Sequence, residues 1–563
     1  MRFSPALPAP HATVQRGNAN AQGGWRGPRR GVFSPWLSGQ RQRRNLNRIT
    51  QLQGGEMKKT LTVVLAVAVL LWAGSAWAQK TLVVAQDEAP RMMNPHGDDS
   101  DAGLQYFANF FDGLLERKGP EGVLSPALAV KWERVDELNW KFWLRKGVKF
   151  HNGNPFTAED VKFTFERLSD PNVSEMVNTG KSIDSITIHD DYTITIKTKK
   201  PVPWFVNNLH QIFIMDKEDT TTRDPGDVMV RPIGTGAYKL VEWVKGSYVK
   251  MEANEDYWEG APPIKNVEIR PISESSTRFA ALVSGQVAML TGVPVELHDQ
   301  ISKNPQLEIV SKPARRSIFL ALGNAPGTPM ADIRVRQAIY MAIDEDEIIA
   351  KVMRGLASPA AQIPDPPTIG HNPDLKRLPY DPQKAKELLK AAGYENGFAI
   401  TLAGPNDRYI QDAKIAEAVA KYLAKVGIQV TLDVKPKSIF FPEVNEGKLE
   451  FYLIGWFDGT FDMGRTYAKL AHTRDRERGF GELNGANYSD PEIDALIESA
   501  NVMLDYNERA KALQELNRMA MVDKIVWIPL HYQMDVYAVR KDGKLNFQPR
   551  PDRWMIYKEL SFK

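Results

Sequence analysis

Nine histidines and no cysteine are the first facts that bear on chemistry in this 563-residue chain. Without cysteine there is no disulfide, no thiolate metal site, no cysteine nucleophile and no lipid-modified cysteine anchor. The histidines are scattered, and no two stand at the spacing that puts a metal-binding pair on one helix face. His151, His189 and His210 therefore read as isolated polar or turn residues. No H-E-x-x-H and no G-x-S-x-G occurs, which removes the short signatures of a zinc hydrolase and a serine hydrolase. Gly180-Lys181-Ser182 resembles the end of a phosphate loop, but Glu175 stands where that loop requires glycine. Gly234-Thr-Gly-Ala-Tyr-Lys lacks the third glycine of a dinucleotide turn. Catalytic residues often lie far apart in sequence, so these absences alone leave an enzyme open.

The bulk properties narrow the field. A chain of this length exceeds one hydrophobic core, so two or three lobes are expected. Residues 1–56 hold nine arginines against the single acid Glu56, and Lys58 and Lys59 add two more positive charges; of the formal +3 the remainder therefore carries −7. With no basic stripe left, nucleic acid is not an expected partner. Met57-Lys58-Lys59, an apolar run and Ala76-Trp77-Ala78 form the three parts of a secretory signal, with cleavage after Ala78. The apolar run is shorter than the ~20 residues of a membrane span. Residues 1–56, rich in Arg, Gly, Pro and Gln, read as a disordered or non-native extension, with Met57 as the true start.

Downstream, strands and helices alternate. Lys80-Thr-Leu-Val-Val-Ala reads as a buried first strand, Asn139 to Arg145 as another, and Ile186 to Lys197 as a hairpin turning at Asp190-Asp191. Thr157 caps a helix from Ala158, Asp332 one from Ile333, Asp381-Pro382 one that Gly393 closes, and Asp490-Pro491 one through Ala500. Further helices span Asp412 to Val426 and about Asn507 to Val522. Without a fixed repeat, this order implies an α/β protein of several lobes. Trp132, Trp140, Trp143, Phe150 and Phe156 read as core, and Gly147, Gly153 and Gly234 to Gly236 as turns that need open backbone space.

Several stretches, in order, resemble the peptide/nickel-binding class of ABC-transporter solute-binding proteins, extracellular family 5. They are Leu124 to Trp132 with Trp140 to Val161, Ile233 to Leu240, Asn254 with Tyr257-Trp258-Glu-Gly, Arg278 to Gly285, Asp332 to Ile339 and Pro379 to Leu389. The resemblance runs from about Lys80 to Val539. It implies a periplasmic-binding-protein type II-like fold, in which two lobes on a two-strand hinge close on a cleft and a third lobe inserts beside the first. By analogy, residues 79–112, 232–317 and 533–563 form lobe I, 113–231 lobe II and 318–532 lobe III.

The resemblance also implies a function: capture of a peptide or other small solute in the periplasm, and its delivery to an ABC permease driven by ATPase subunits. The mature protein is expected to be a soluble monomer without catalysis, metal or cofactor. Nickel chelates, oligosaccharides and opines are other solutes of the class. A periplasmic hydrolase or a sensory binding protein on the same scaffold is the alternative. Peptide-binding relatives hold the ligand ammonium with an aspartate after a Gly-Trp strand end, which here corresponds to Gly455-Trp456-Phe457-Asp458 with Asp462 beyond. Asp458 and Asp462 could equally cap their loop. Arg408 stands where relatives place a carboxylate-holding arginine, and could instead pair with Asp407 or Asp412; Arg465 is a second candidate. Trp456 and Tyr409 could wall the ligand or pack in the core. Asn94 and His96, after the first strand, could touch ligand or fix a turn.

Overall fold

The computed structural model describes residues 81–563; the extension of residues 1–56 and the signal segment 57–78 lie outside the described residues. The expected local signals appear where capping chemistry puts them. Helix Ala158–Leu168 follows Thr157, whose amide donates to Asp160 Oδ2 at 2.9 Å. Asp332, Asp381 and Asp490 each accept a backbone amide at the start of helices Ile333–Met341, Pro382–Ala391 and Pro491–Ala500. The C-terminal helix covers Tyr506–Arg518 and widens into a π turn at Met519–Asp523. The hairpin pairs Ile183–Asp190 with Thr193–Thr198, inside a four-stranded antiparallel sheet that includes Asn139–Leu144 and Ala129–Arg134.

One mixed sheet of eleven strands organises the rest. In spatial order it runs Ile428–Lys435, Phe398–Pro405, Phe451–Trp456, Leu307–Leu322, Trp527–Arg540, Met289–Leu290, Thr81–Gln86, Asn266–Pro271, Tyr248–Ala253 and Tyr238–Val244, and Ala357–Pro359 pairs beside Trp527–Arg540. The two central strands are 16 and 14 residues long, well beyond the usual ~5–6. Their far halves serve different neighbours: Ser317–Leu322 pairs with Phe451–Trp456, and Val539–Ala538 pairs with Met289–Leu290.

The buried apolar side chains sort accordingly. One cluster draws on residues 318–530. A second lies within 114–214. Two more combine segments from the first strand, from 237–307 and from 536–560. Phe150 and Phe156 are core, as their type predicts, while Trp132 and Trp140 pack at its margin. Trp143 instead faces outward under Lys131 and Lys141.

The glycines divide by cause. Gly147 and Gly153 have φ of +77° and +97° with open space around them, as expected for turns. Gly234 and Gly236 differ: a Cβ on them would stand 2.2 Å from the Phe110 carbonyl oxygen and 2.4 Å from the Phe110 carbonyl carbon. Close backbone passage against the end of helix Asp101–Phe110 is what demands glycine there.

Candidate functional site

The two long strands lose register where they cross the middle of the molecule. Pro313 pairs with Met534 and Ser317 with Tyr532, so Ala314, Arg315 and Arg316 oppose the single residue Gln533. Such a bulge re-aims side chains, and the two arginines leave it toward different partners. Arg315 is buried and saturated: it donates to Asp365 Oδ2 at 2.9 Å, to the Asp458 carbonyl at 2.9 Å and to Thr368 Oγ1 at 2.7 Å. Arg316 instead reaches a cavity of about 320 Å³.

That cavity opens beside the bulge and is bounded by segments from several parts of the chain. Asp87 and Glu88 follow the first strand, and Asp101 opens the first helix. Arg408 and Tyr409 come from the loop after strand Phe398–Pro405, and Gln533 to Tyr537 from the second long strand. Asp552 to Trp554 close the remaining side. The Asp412 carboxylate shapes the 406–411 loop by accepting the amides of Arg408 at 3.0 Å and Tyr409 at 2.9 Å. Tyr409 then donates its hydroxyl to the Gly455 carbonyl at 3.0 Å, tying the loop to the neighbouring strand. Gln411 and Arg553, both lining the cavity, hold left-handed φ of +59° and +65°, a strained backbone that surrounding structure must impose.

Both signs of charge meet in the cavity. Asp535 pairs with Arg553 at 2.9 Å. Burial pushes the Asp535 carboxyl up to about 6 although Arg553 opposes this, and Asp535 in turn raises Arg553. Burial first, then Arg553 and Arg408, push Arg316 down to about 10.

Of the residues singled out in the sequence, Arg408 and Tyr409 line this cavity. The side chain of Arg408 forms no ion pair with Asp407 or Asp412 among the described residues; Asp412 takes its amide, and Asp407 takes the Lys437 amide. Asp462 is 1% exposed and locked to Arg509 by two bonds of 2.9 and 2.7 Å, while also capping helix Met463–Leu470. Asp458 Oδ1 accepts from Thr460 N at 2.8 Å and from the Thr460 hydroxyl, a loop-capping turn. Arg465 approaches Asp458 only to 3.9 Å. Trp456 packs against the 318–530 core and donates to Thr466 Oγ1 at 3.0 Å. Asn94 accepts the His96 amide at 3.1 Å, and both side chains are fully buried. His96 holds the Phe213 carbonyl at 3.1 Å through Nε2 and receives Arg167 at 3.0 Å on Nδ1. These partners require a neutral ring, and burial with Arg167 holds it down to about 3.

Arg316, Gln533, Asp535 and Arg553 escaped the sequence reading. Arg315-Arg316 was a visible signal, a double arginine just before the apolar run Ile318 to Leu322.

Comparison with known proteins agrees with this architecture. Residues 123–477 match the family model described as bacterial extracellular solute-binding proteins, family 5 Middle. The glutathione-binding protein GsiB of Pectobacterium atrosepticum is 30% identical over 457 residues, covering 79% of this chain and 88% of that one. Heme-binding protein A of Haemophilus influenzae is 28% identical over 532 residues, covering 85% and 94%. Among solved structures, the ABC transporter-associated periplasmic binding protein DppA of Helicobacter pylori, in complex with the peptide STSA, superposes with a TM-score of 0.71 at 27% identity, covering 86% of this chain and 98% of that one. With the mixed sheet, the paired long strands and the cavity on their register break, these matches place the chain in family 5 of the bacterial extracellular solute-binding proteins.

Proposed function

We propose that the protein captures a small zwitterionic solute of peptide type in the cavity of about 320 Å³ and delivers it to the permease of an ABC importer, whose ATPase subunits drive release. One observation carries this reading: the cavity sits on the register break of the two long strands and is lined both by Asp87, Glu88 and Asp101 and by Arg408 and Tyr409, from distant parts of the sequence. A solute that touches both walls favours the arrangement in which they approach. The lobes that move are taken as 79–112, 232–317 and 533–563 with 113–231 on one side, and 318–532 on the other; the separate buried clusters support this division. Arg408 at the rim attracts a carboxylate, and Asp87, Glu88 and Asp101 provide for an ammonium group. Tyr409 walls the solute. Asp458, Asp462, Arg465 and Trp456 shape the neighbouring loop, and Asn94 and His96 hold the turn behind it. The relative named for glutathione and the solved neighbour holding STSA support a short peptide. Export by the 57–78 signal would place the protein in the periplasm as a monomer that binds without turnover.

Native mass spectrometry of the protein purified gently from its host tests this. An intact small molecule, retained natively and released on denaturation, is the expected result. No retained molecule, together with cleavage of added peptides, would replace capture by hydrolysis.

A further inference from the structure

Arg316 is the buried cation of this cavity that the protein itself leaves without a hydrogen bond. Of the other cations lining it, Arg553 has Asp535 at 2.9 Å, and Arg408 is only half-buried. Arg316 is 8% exposed and makes no hydrogen bond among the described residues. Its nearest acid oxygen, on Asp101, is 3.7 Å away, beyond hydrogen-bond reach. The Phe457 ring lies 5.3 Å from its guanidinium carbon. Directly across the bulge, Gln533 is 4% exposed and its Nε2 has no acceptor. Two side chains short of acceptors therefore stand at one break in the strands, Gln533 Nε2 with none and Arg316 with only the long ion pair to Asp101. A buried cation held only by one long ion pair is costly, and so is a buried amide donor without an acceptor.

A planar guanidinium fork matches carboxylate and phosphate alike. Asp87, Asp101 and Asp535 stand in the same cavity and disfavour a doubly charged oxyanion, which leaves a carboxylate. We infer that Arg316 is the deep contact of the solute site: it takes a solute carboxylate in a two-pronged pair, and by this pairing makes closure depend on the solute. The inference rests on the capture reading above. With the walls apart, water solvates Arg316. With the walls together and the cavity empty, the charge is stranded. A carboxylate removes that penalty only in the closed arrangement, so an anionic solute shifts the balance toward it. Arg408, half-buried at the rim, meets the carboxylate first; Arg316 holds it.

The test compares wild type with Arg316→Met and Arg316→Lys in the full-length secreted protein. Small-angle scattering and thermal unfolding are read without solute. Binding is then read with a pool of di- and tripeptides carrying free or amidated C termini, and with inorganic phosphate. Without solute, Arg316→Met is expected to be more compact and to melt higher than wild type. With the pool, wild type is expected to bind free acids at least about tenfold tighter than amides, and both variants to lose that preference. Pool binding with the free-acid preference intact in both variants would overturn the role of Arg316 while leaving capture standing. A less stable and equally open Arg316→Met would assign the residue to the framework and overturn the inference. Closure by phosphate alone would overturn the carboxylate assignment. If no peptide binds wild type, the peptide reading falls, and the ligand-free comparison alone decides whether Arg316 opposes closure.

Discussion

Asp462 and Arg509 show how a carboxylate near a binding cleft can serve the framework. Their pair is 1% and 3% exposed at the side chains, so removing either member strands the other charge. Asp462→Asn or Arg509→Met is expected to destabilise the fold by about 3–5 kcal/mol, read by urea unfolding. Arg408→Ala, which touches no such pair, is expected to weaken peptide binding by tenfold or more on a scale where about 1.4 kcal/mol is tenfold, with the unfolding midpoint unchanged. The buried histidines give a pH dependence. Burial holds His96, His210 and His531 down to about 3 and His151 to about 4, from an ordinary 6.5. Below pH 6.5 the unfolded chain takes up protons that the folded rings refuse, so stability is lost as pH falls toward 3. Asp535 and Asp99, raised to about 6, act in the opposite sense, because their folded carboxyls bind protons first as pH falls. Glu345, raised well above its ordinary value by burial, acts with them. The histidine contribution, a loss of stability from pH 6.5 to 4, is read in denaturant titrations as the difference between wild type and a histidine variant. His531→Leu is expected to remove its share of that loss, since neither ring nitrogen of His531 has a partner to lose.

At the scale of elements, the helices were legible because their signals are local. Asp381-Pro382 and Asp490-Pro491 state a cap and a first turn within two residues, and the structure starts helices there. The glycines of Ile233-Gly-Thr-Gly were legible as glycines but not by cause, since the atom they avoid belongs to Phe110, more than a hundred residues earlier. Gly236→Ala is expected to cost about 1–3 kcal/mol or more by overpacking, whereas Gly147→Ala would carry only the strain of its positive φ. Chemical denaturation of the two variants separates the causes. The site was half legible for the same reason. Arg408 and Tyr409 sit in a loop with a motif of its own. Arg316 becomes a site residue only because strand 307–322 slips against strand 527–540, a register no local pattern announces.

For the whole molecule, contacts between segments far apart in sequence have their own energetics. Phe461, with φ of +59°, lies between the guanidinium of Arg117, at 3.6 Å from the ring centre, and that of Arg315, at 3.3 Å. Arg117 belongs to strand Leu115–Lys118, and Phe461 follows strand Phe451–Trp456. Each cation–ring contact at a desolvated site contributes about 0.5–2 kcal/mol. Phe461→Leu is therefore expected to weaken solute binding several-fold by calorimetry, with a larger opening by scattering in the absence of solute. An unchanged affinity would place the ring outside the closing contacts.

The strand made last lies in the middle of the sheet. Trp527–Arg540 separates Leu307–Leu322 from Met289–Leu290, and Gln86 and Asn109 are tied by hydrogen bonds to Tyr557 and Met555, across 471 and 446 positions of sequence. The side of the molecule that begins the chain therefore stays an unfinished sheet with bare strand edges until nearly the whole polypeptide is available. Partners this distant in sequence make folding slow, and the pairing of Gln86 with Tyr557 cannot form until every strand of the sheet has been made.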